Sequence, residues 1–167
     1  MCICDLWVYW VIMELKVGEN APVFESVTET GEKFSLANLI GKTNVVLYFY
    51  PKDFTAGCTK EACTFRDYWD KVTELGATIV GISSDSPETH SRFKKEHKLQ
   101  FTLLSDQDKR IRKLYGAESR FIPPRVTFVI DKQGKIRNIF NSQLNITKHI
   151  EKALQTLNGI SKAQVMN

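Results

Sequence analysis

The stretch PKDFTAGCTKEAC, residues 51–63, sets two cysteines, Cys58 and Cys63, directly after a run of strand formers. The order strand, sharp turn, helix puts Cys58 in the first turn of that helix. Unpaired backbone N–H groups and the positive end of the helix dipole then face its sulfur, and both favour a thiolate. Gly57 lets the chain come close, and Thr55 is positioned to offer a hydroxyl. The chemistry so described is that of a reactive sulfur nucleophile; a buried structural cysteine is the bland alternative.

Cys63 adds a second condition. On an intact helix, residues i and i+5 are displaced by about 7.5 Å along the axis and about 140° around it, leaving their Cα atoms about 8.5 Å apart. A disulfide wants that separation below about 7 Å. The pair is therefore a two-state element: a helix with two thiols, or a locally unwound segment with a disulfide. Zinc would need two further ligands, and His90, His97 and His149 show no ligand spacing. A disulfide reductase would want two residues between its cysteines, and a copper chaperone three plus a distant histidine; here four intervene. A small core residue on the helix face is the plain alternative for Cys63.

The surrounding pattern supplies the elements that must hold these groups. Residues 23–36 read as two short strands around a Thr-Gly turn, a hairpin. NVVLYFY, 44–50, is a continuous apolar run typical of a strand buried on both faces. Residues 58–75 are predicted as one helix, with Phe65, Trp69, Val72 and Leu75 at helical spacing, and 77–83 as a second buried strand. Ser86 as N-cap and Pro87 at the first helical position open a helix over 86–99. A short strand over 101–106, a helix over 108–116 and a hairpin over 126–140 follow. A last helix over 145–159 is expected to stop at Gly159, leaving a frayed tail, 161–167. The fold class implied is α/β: a mixed sheet with helices on both sides.

Length and composition bound the rest. With 167 residues, 43% of them hydrophobic, the chain suits one domain with a full-sized core. The net charge of +4 is spread out, and its densest cluster, KRIRK at 109–113, is expected to be a solvated helix face rather than a nucleic-acid patch. Four cysteines in a chain of this length suggest a reducing compartment, the cytoplasm, where thiols are kept for reactivity. No apolar stretch reaches the roughly 18–20 residues of a membrane span. Residues 1–12, MCICDLWVYWVI, form an apolar extension that lacks a basic start and carries Asp5, unlike a secretory signal. Either Met13 is the natural start, or the extension is an extra strand or arm; Cys2 and Cys4 within it are not expected to take part in the chemistry. The domain proper is assigned to residues 13–160.

At PKDFTAGCTKEAC, with Pro51, Thr55, Cys58 and Glu61, the sequence resembles the peroxiredoxin active-site signature. The added Cys63 is similar to the Q-type, or bacterioferritin-comigratory, branch of that family. RVTFVID, 125–131, resembles the family's second motif, an arginine leading a core strand, and ELKVGENAPVF, 14–24, its usual opening. The resemblance covers about residues 13–158; the extension lies outside it. Phe54, where an acidic or polar residue is frequent, is a mild departure that bears on access to the pocket. The resemblance implies a thioredoxin-like fold and a thiol peroxidase of the atypical two-cysteine kind, without a cofactor. Its partners would be a peroxide and a thioredoxin-like or other dithiol reductant, with no nucleic acid or membrane, on a monomer or homodimer. Cys58 would be the peroxidatic cysteine, oxidised to a sulfenic acid, and Cys63 the resolving one, condensing with it to a disulfide. A peroxide-sensing relay that hands oxidation to a partner protein would use the same residues.

Ionisation alone does not supply the rate. Moving a thiol from a pKa of about 8.5 to about 6 raises its thiolate fraction at pH 7 by only about 30-fold, and a less basic thiolate is intrinsically weaker. The larger share must come from donors aimed at the peroxide oxygens as charge builds on the leaving one. The Thr55 hydroxyl, the Arg125 guanidinium and the Cys58 backbone N–H are the candidates. Pro51, lacking an N–H, would shield the sulfur from water without competing for it. Glu61, one turn past Cys58, would orient an arginine or cap local N–H groups.

Overall fold

The computed structural model describes residues 14–166. The extension 1–12 and Met13, with the alternatives attached to them, lie outside those residues, as does Asn167. Seven strands form one sheet: β1 (Glu25–Thr28), β2 (Lys33–Ser35), β3 (Asn44–Phe49), β4 (Ala77–Ser83), β5 (Thr102–Ser105), β6 (Val126–Ile130) and β7 (Ile136–Asn141). Their order across the sheet is β2-β1-β5-β4-β3-β6-β7. β3, β4 and β5 run parallel, and every other pairing is antiparallel, so the sheet is mixed as expected.

The central strand shows why its sequence is unbroken apolar. Val46 and Tyr48 of β3 join one core, while Val45, Leu47 and Phe49 join the core on the opposite face. The first core lies under helices α1 (Ala56–Asp67), α2 (Trp69–Glu74), α3 (Pro87–His97) and α5 (Ile146–Val165). The second lies under α4 (Arg110–Leu114) and the N-terminal segment. Tyr48 needs room: a Cβ on Gly81 of the neighbouring strand would sit 2.8 Å from the Tyr48 ring. That vacancy lets Tyr48 stack on Phe65 of α1, ring centres 4.5 Å apart, which presses α1 onto the sheet.

Two expectations about helices are corrected. The helix predicted over 58–75 begins at Ala56 and breaks at Tyr68 into α1 and α2. The break lets α1 run along α5 while α2 turns onto β4, so one straight rod would forfeit one of the two contacts. Gly159 does not end α5, which continues to Val165. Ile160 beyond the glycine is buried and extends the apolar stripe of Ile150, Leu154 and Leu157, so packing holds the helix where propensity would release it. Ser86 caps α3 as expected, accepting from the Thr89 N–H with Pro87 at the first position. Among the described residues, no helix is long and apolar enough to cross a membrane.

Candidate active site

β3 delivers the chain at the edge of the first core, and residues 50–55 turn it into α1. That turn is pinned from within. Asp53, buried, accepts from the Tyr50 hydroxyl at 2.6 Å and lies 2.7 Å from Nδ1 of buried His90 on α3. The Asp53 backbone N–H donates to Asp85, and His90 Nε2 donates to the Leu104 carbonyl. Phe54 is held at a φ of 62°, a left-handed conformation costly for a side chain with a Cβ. Its ring packs edge-on to Phe93, centres 5.2 Å apart, with Arg92 stacked over it.

Thr55 is the N-cap of α1, and Cys58 follows in the first turn. No side chain caps that end and no acidic residue stands in its first turn, so its N–H groups stay available to an electron-rich ligand. Cys58 is 1% exposed. The Arg125 guanidinium reaches it, Nη2 donating to Sγ at 3.4 Å. Nη1 of the same fork is ion-paired with the Glu61 carboxylate one turn along α1. Gly57 makes the approach possible: a Cβ there would sit 3.2 Å from Arg125 Nη2. Arg125, expected to lead a core strand, does so immediately before β6 and is buried.

The electrostatics follow from burial. Desolvation drives the Glu61 carboxyl up to about 7, although Arg125 opposes the rise. Arg125 stays charged: burial disfavours its cation, but Glu61 and Cys58 together more than offset this. Glu61 Oε1, without a hydrogen-bond donor among the described residues, is 3.7 Å from Nδ1 of buried His149 on α5. His149 Nε2 donates to the Ser142 carbonyl and Nδ1 accepts from Thr127, which fixes the neutral tautomer. Burial lowers the His149 pKa to about 4.

The structure thus brings Cys58, Glu61 and Arg125 into one contact chain. It treats the other expected residues differently. The Thr55 hydroxyl, expected as a donor to the peroxide oxygens, instead donates to the Lys52 carbonyl at 3.0 Å, leaving its lone pairs for any ligand. Pro51 is half-buried at the start of the turn. Cys63 is half-buried on the same helix as Cys58, and among the described residues neither thiol is in a disulfide. Since α1 is continuous between them, helix geometry keeps their Cα atoms about 8.5 Å apart.

Four contributors escaped sequence reasoning: Asp53, His90, Arg112 and His149. In the basic cluster Lys109, Arg110 and Lys113 are exposed, as a solvated face requires, and Arg112 is the correction. It is 2% exposed, donates to the Tyr50 carbonyl at 2.7 Å, and stacks over Phe49. Burial lowers its pKa, and the Asp106 carboxylate opposes the fall. Ile111, equally buried beside it, was the available signal that this face turns inward. Asp53, Asp85 and His90 gather potential metal-binding atoms within 4.8 Å of one another. Hydrogen bonds within the chain already engage those atoms.

Comparison with known proteins agrees with this geometry. The AhpC/TSA family model matches residues 17–139. The chloroplastic peroxiredoxin Q of Sedum lineare is 42% identical over 153 residues, covering 90% of this chain and 82% of its own. A Coxiella burnetii protein named for peroxiredoxin bcp is also 42% identical, over 87% of this chain and all of its own length. Among solved structures, peroxidoxin BcpB from Mycobacterium tuberculosis superposes with a TM-score of 0.83 at 36% identity, over 88% of this chain and 99% of its own. With a mixed sheet, a cysteine in the first turn of α1 and an arginine at its sulfur, the chain belongs to the AhpC/TSA family, on the Q-type, bacterioferritin-comigratory branch of the peroxiredoxins, and so to the thiol-dependent peroxidases.

Proposed function

We propose that Cys58 is the peroxidatic residue and Cys63 its resolving partner, in a cycle run by one chain. The observation that carries the reading is the Arg125 Nη2 contact with Cys58 Sγ beside an uncapped helix start. The Cys58 thiolate attacks one oxygen of ROOH. The O–O bond breaks, the attacked OH goes to sulfur as the sulfenic acid, and the alkoxide or hydroxide leaves, taking from solvent the proton that the thiol gave up on ionising, as alcohol or water. Arg125 and the first-turn N–H groups stabilise the charge that grows on the departing oxygen. The Thr55 lone pairs can accept the peroxide O–H, and Pro51 adds no competing donor.

Resolution uses the two-state character of α1. Its first turn unwinds, Cys63 attacks the Cys58 sulfenic sulfur, an S–S bond replaces the S–O bond, and the oxygen departs as water. A thioredoxin-like or other dithiol then returns both thiols, in a reducing compartment such as the cytoplasm. Hydrogen peroxide and organic hydroperoxides both fit this chemistry, since the leaving oxygen needs only stabilisation of its charge.

Intact mass spectrometry after one equivalent of hydrogen peroxide tests the assignment. The wild type is expected to lose two hydrogens as an intramolecular disulfide, Cys63→Ser to gain one oxygen and stop, and Cys58→Ser to do neither. Peroxide consumption retained by Cys58→Ser would overturn the peroxidatic assignment. Normal cycling by Cys63→Ser, or a mixed disulfide trapped with a second protein, would give resolution to an external thiol or make the chain a relay.

A further inference from the structure

We propose that His97 is the base that prepares Cys63 for attack, a step that rests on Cys63 being the resolving thiol. His97 closes α3, and its Nδ1 lies 4.0 Å from Cys63 Sγ, within the range of a sulfur hydrogen bond. The contact is braced. Arg66, one turn past Cys63 on α1, donates from Nη1 to the His97 carbonyl at 2.9 Å. The His97 ring packs edge-on against fully buried Phe93, centres 4.9 Å apart, with the Phe54 ring at 6.3 Å. The charged groups near it are Arg66, itself ion-paired with Asp67, Arg92, which is stacked over Phe54, and Lys94 and Lys95 in the same last turn of α3.

A free thiol is only a few per cent ionised at neutral pH, and a histidine partner is one of the arrangements that raises that fraction. The Cys63 proton passes to His97 Nδ1. The resulting thiolate forms the S–S bond with Cys58 as the S–O bond breaks, and the departing hydroxide recovers the proton from the imidazolium as water. No electron source is needed, because the sulfenic acid already carries the oxidation. The brace also fixes which end moves. The Cys63 end of α1 is clamped to α3 through Arg66 and His97, so the uncapped first turn carries Cys58 across to a thiolate held in place.

The test separates the two chemical steps. The full-length wild type, His97→Asn and His97→Gln are each mixed with one equivalent of hydrogen peroxide and quenched at intervals by alkylation between pH 6 and 9. Mass spectrometry then follows sulfenic acid and disulfide. Sulfenic acid formation should be unchanged. Disulfide formation should be about tenfold slower at pH 7 in both variants, with the deficit closing by pH 9 as the thiol ionises unaided. Equal disulfide rates at pH 7, or a deficit that persists undiminished at pH 9, would overturn the proposal. A second arm reads His97 even if the wild type forms no internal disulfide, the outcome that would instead sink Cys63 as resolver. In a Cys58→Ser background, iodoacetamide labelling of the Cys63 peptide at pH 7 should slow about tenfold on His97→Asn, and unchanged labelling would refute the role.

Discussion

At the scale of single residues, the site is one guanidinium shared between a thiol and a carboxyl group. Arg125 gives one nitrogen to Cys58 and another to Glu61, so its position is set by the carboxylate and its charge is directed at the sulfur. An arginine fork suits this division, which a lysine point charge could not reproduce. Arg125→Ala should lower the second-order rate with hydrogen peroxide by far more than the roughly 30-fold that thiolate content can explain. Arg125→Lys should also fall, by at least about tenfold, although it keeps the charge. Stopped-flow rates across pH distinguish the roles: a shift of the pH profile with an intact plateau would limit Arg125 to tuning ionisation. Cys58, Glu61 and Arg125 were legible in the sequence because each sits at a fixed offset in a local motif. His149 and His90 were not, since their partners lie 22 and 37 residues away and only the folded sheet joins them.

At the scale of elements, the proposed cycle asks α1 to be firm enough to present Cys58 and weak enough to release it. Its start lacks a side-chain cap and carries a glycine at the second helical position, both of which lower the cost of unwinding. Gly57→Ala should remove part of that weakness, adding up to about 1 kcal/mol to the helix, or about a fivefold slower disulfide step. Its Cβ would also press on Arg125 Nη2, so the first oxidation should slow as well. Rapid-quench measurement of each step checks both effects; a faster disulfide step would contradict the unwinding model. The elements themselves were mostly readable from periodicity. The misreadings arose where tertiary contacts overrule local preference. α2 leaves the line of α1 to pack on β4, and buried Ile160 carries α5 through Gly159.

At the scale of the molecule, two buried titrating groups offset one another. Glu61, raised from an ordinary 4.5 to about 7, contributes stability that is complete below pH 4.5 and lost as pH rises through about 7. His149, lowered from 6.5 to about 4, contributes stability that is present above pH 6.5 and lost as pH falls through about 4. Between about pH 4.5 and 6.5 the folded pair holds one proton, on Glu61, and the unfolded pair also holds one, on His149. Folding then takes up no net proton from this pair. Glu61→Gln should expose the histidine, so that stability, relative to wild type, drops from pH 6.5 to 5. His149→Phe should expose the carboxylate and reverse the sign, each slope approaching about 1.4 kcal/mol per pH unit. Urea midpoints at the two pH values measure this, and parallel shifts in both variants would refute it. The mixed sheet was legible because continuous apolar runs demand burial on both faces; the pairing of a helix-borne carboxylate with a histidine from the last helix was not. One consequence belongs to the step in the chain at Tyr68. In the proposed cycle it would act as a firebreak: slack drawn from α1 during oxidation would be taken up ahead of Trp69, and everything downstream would serve as a common chassis for the dithiol and disulfide forms.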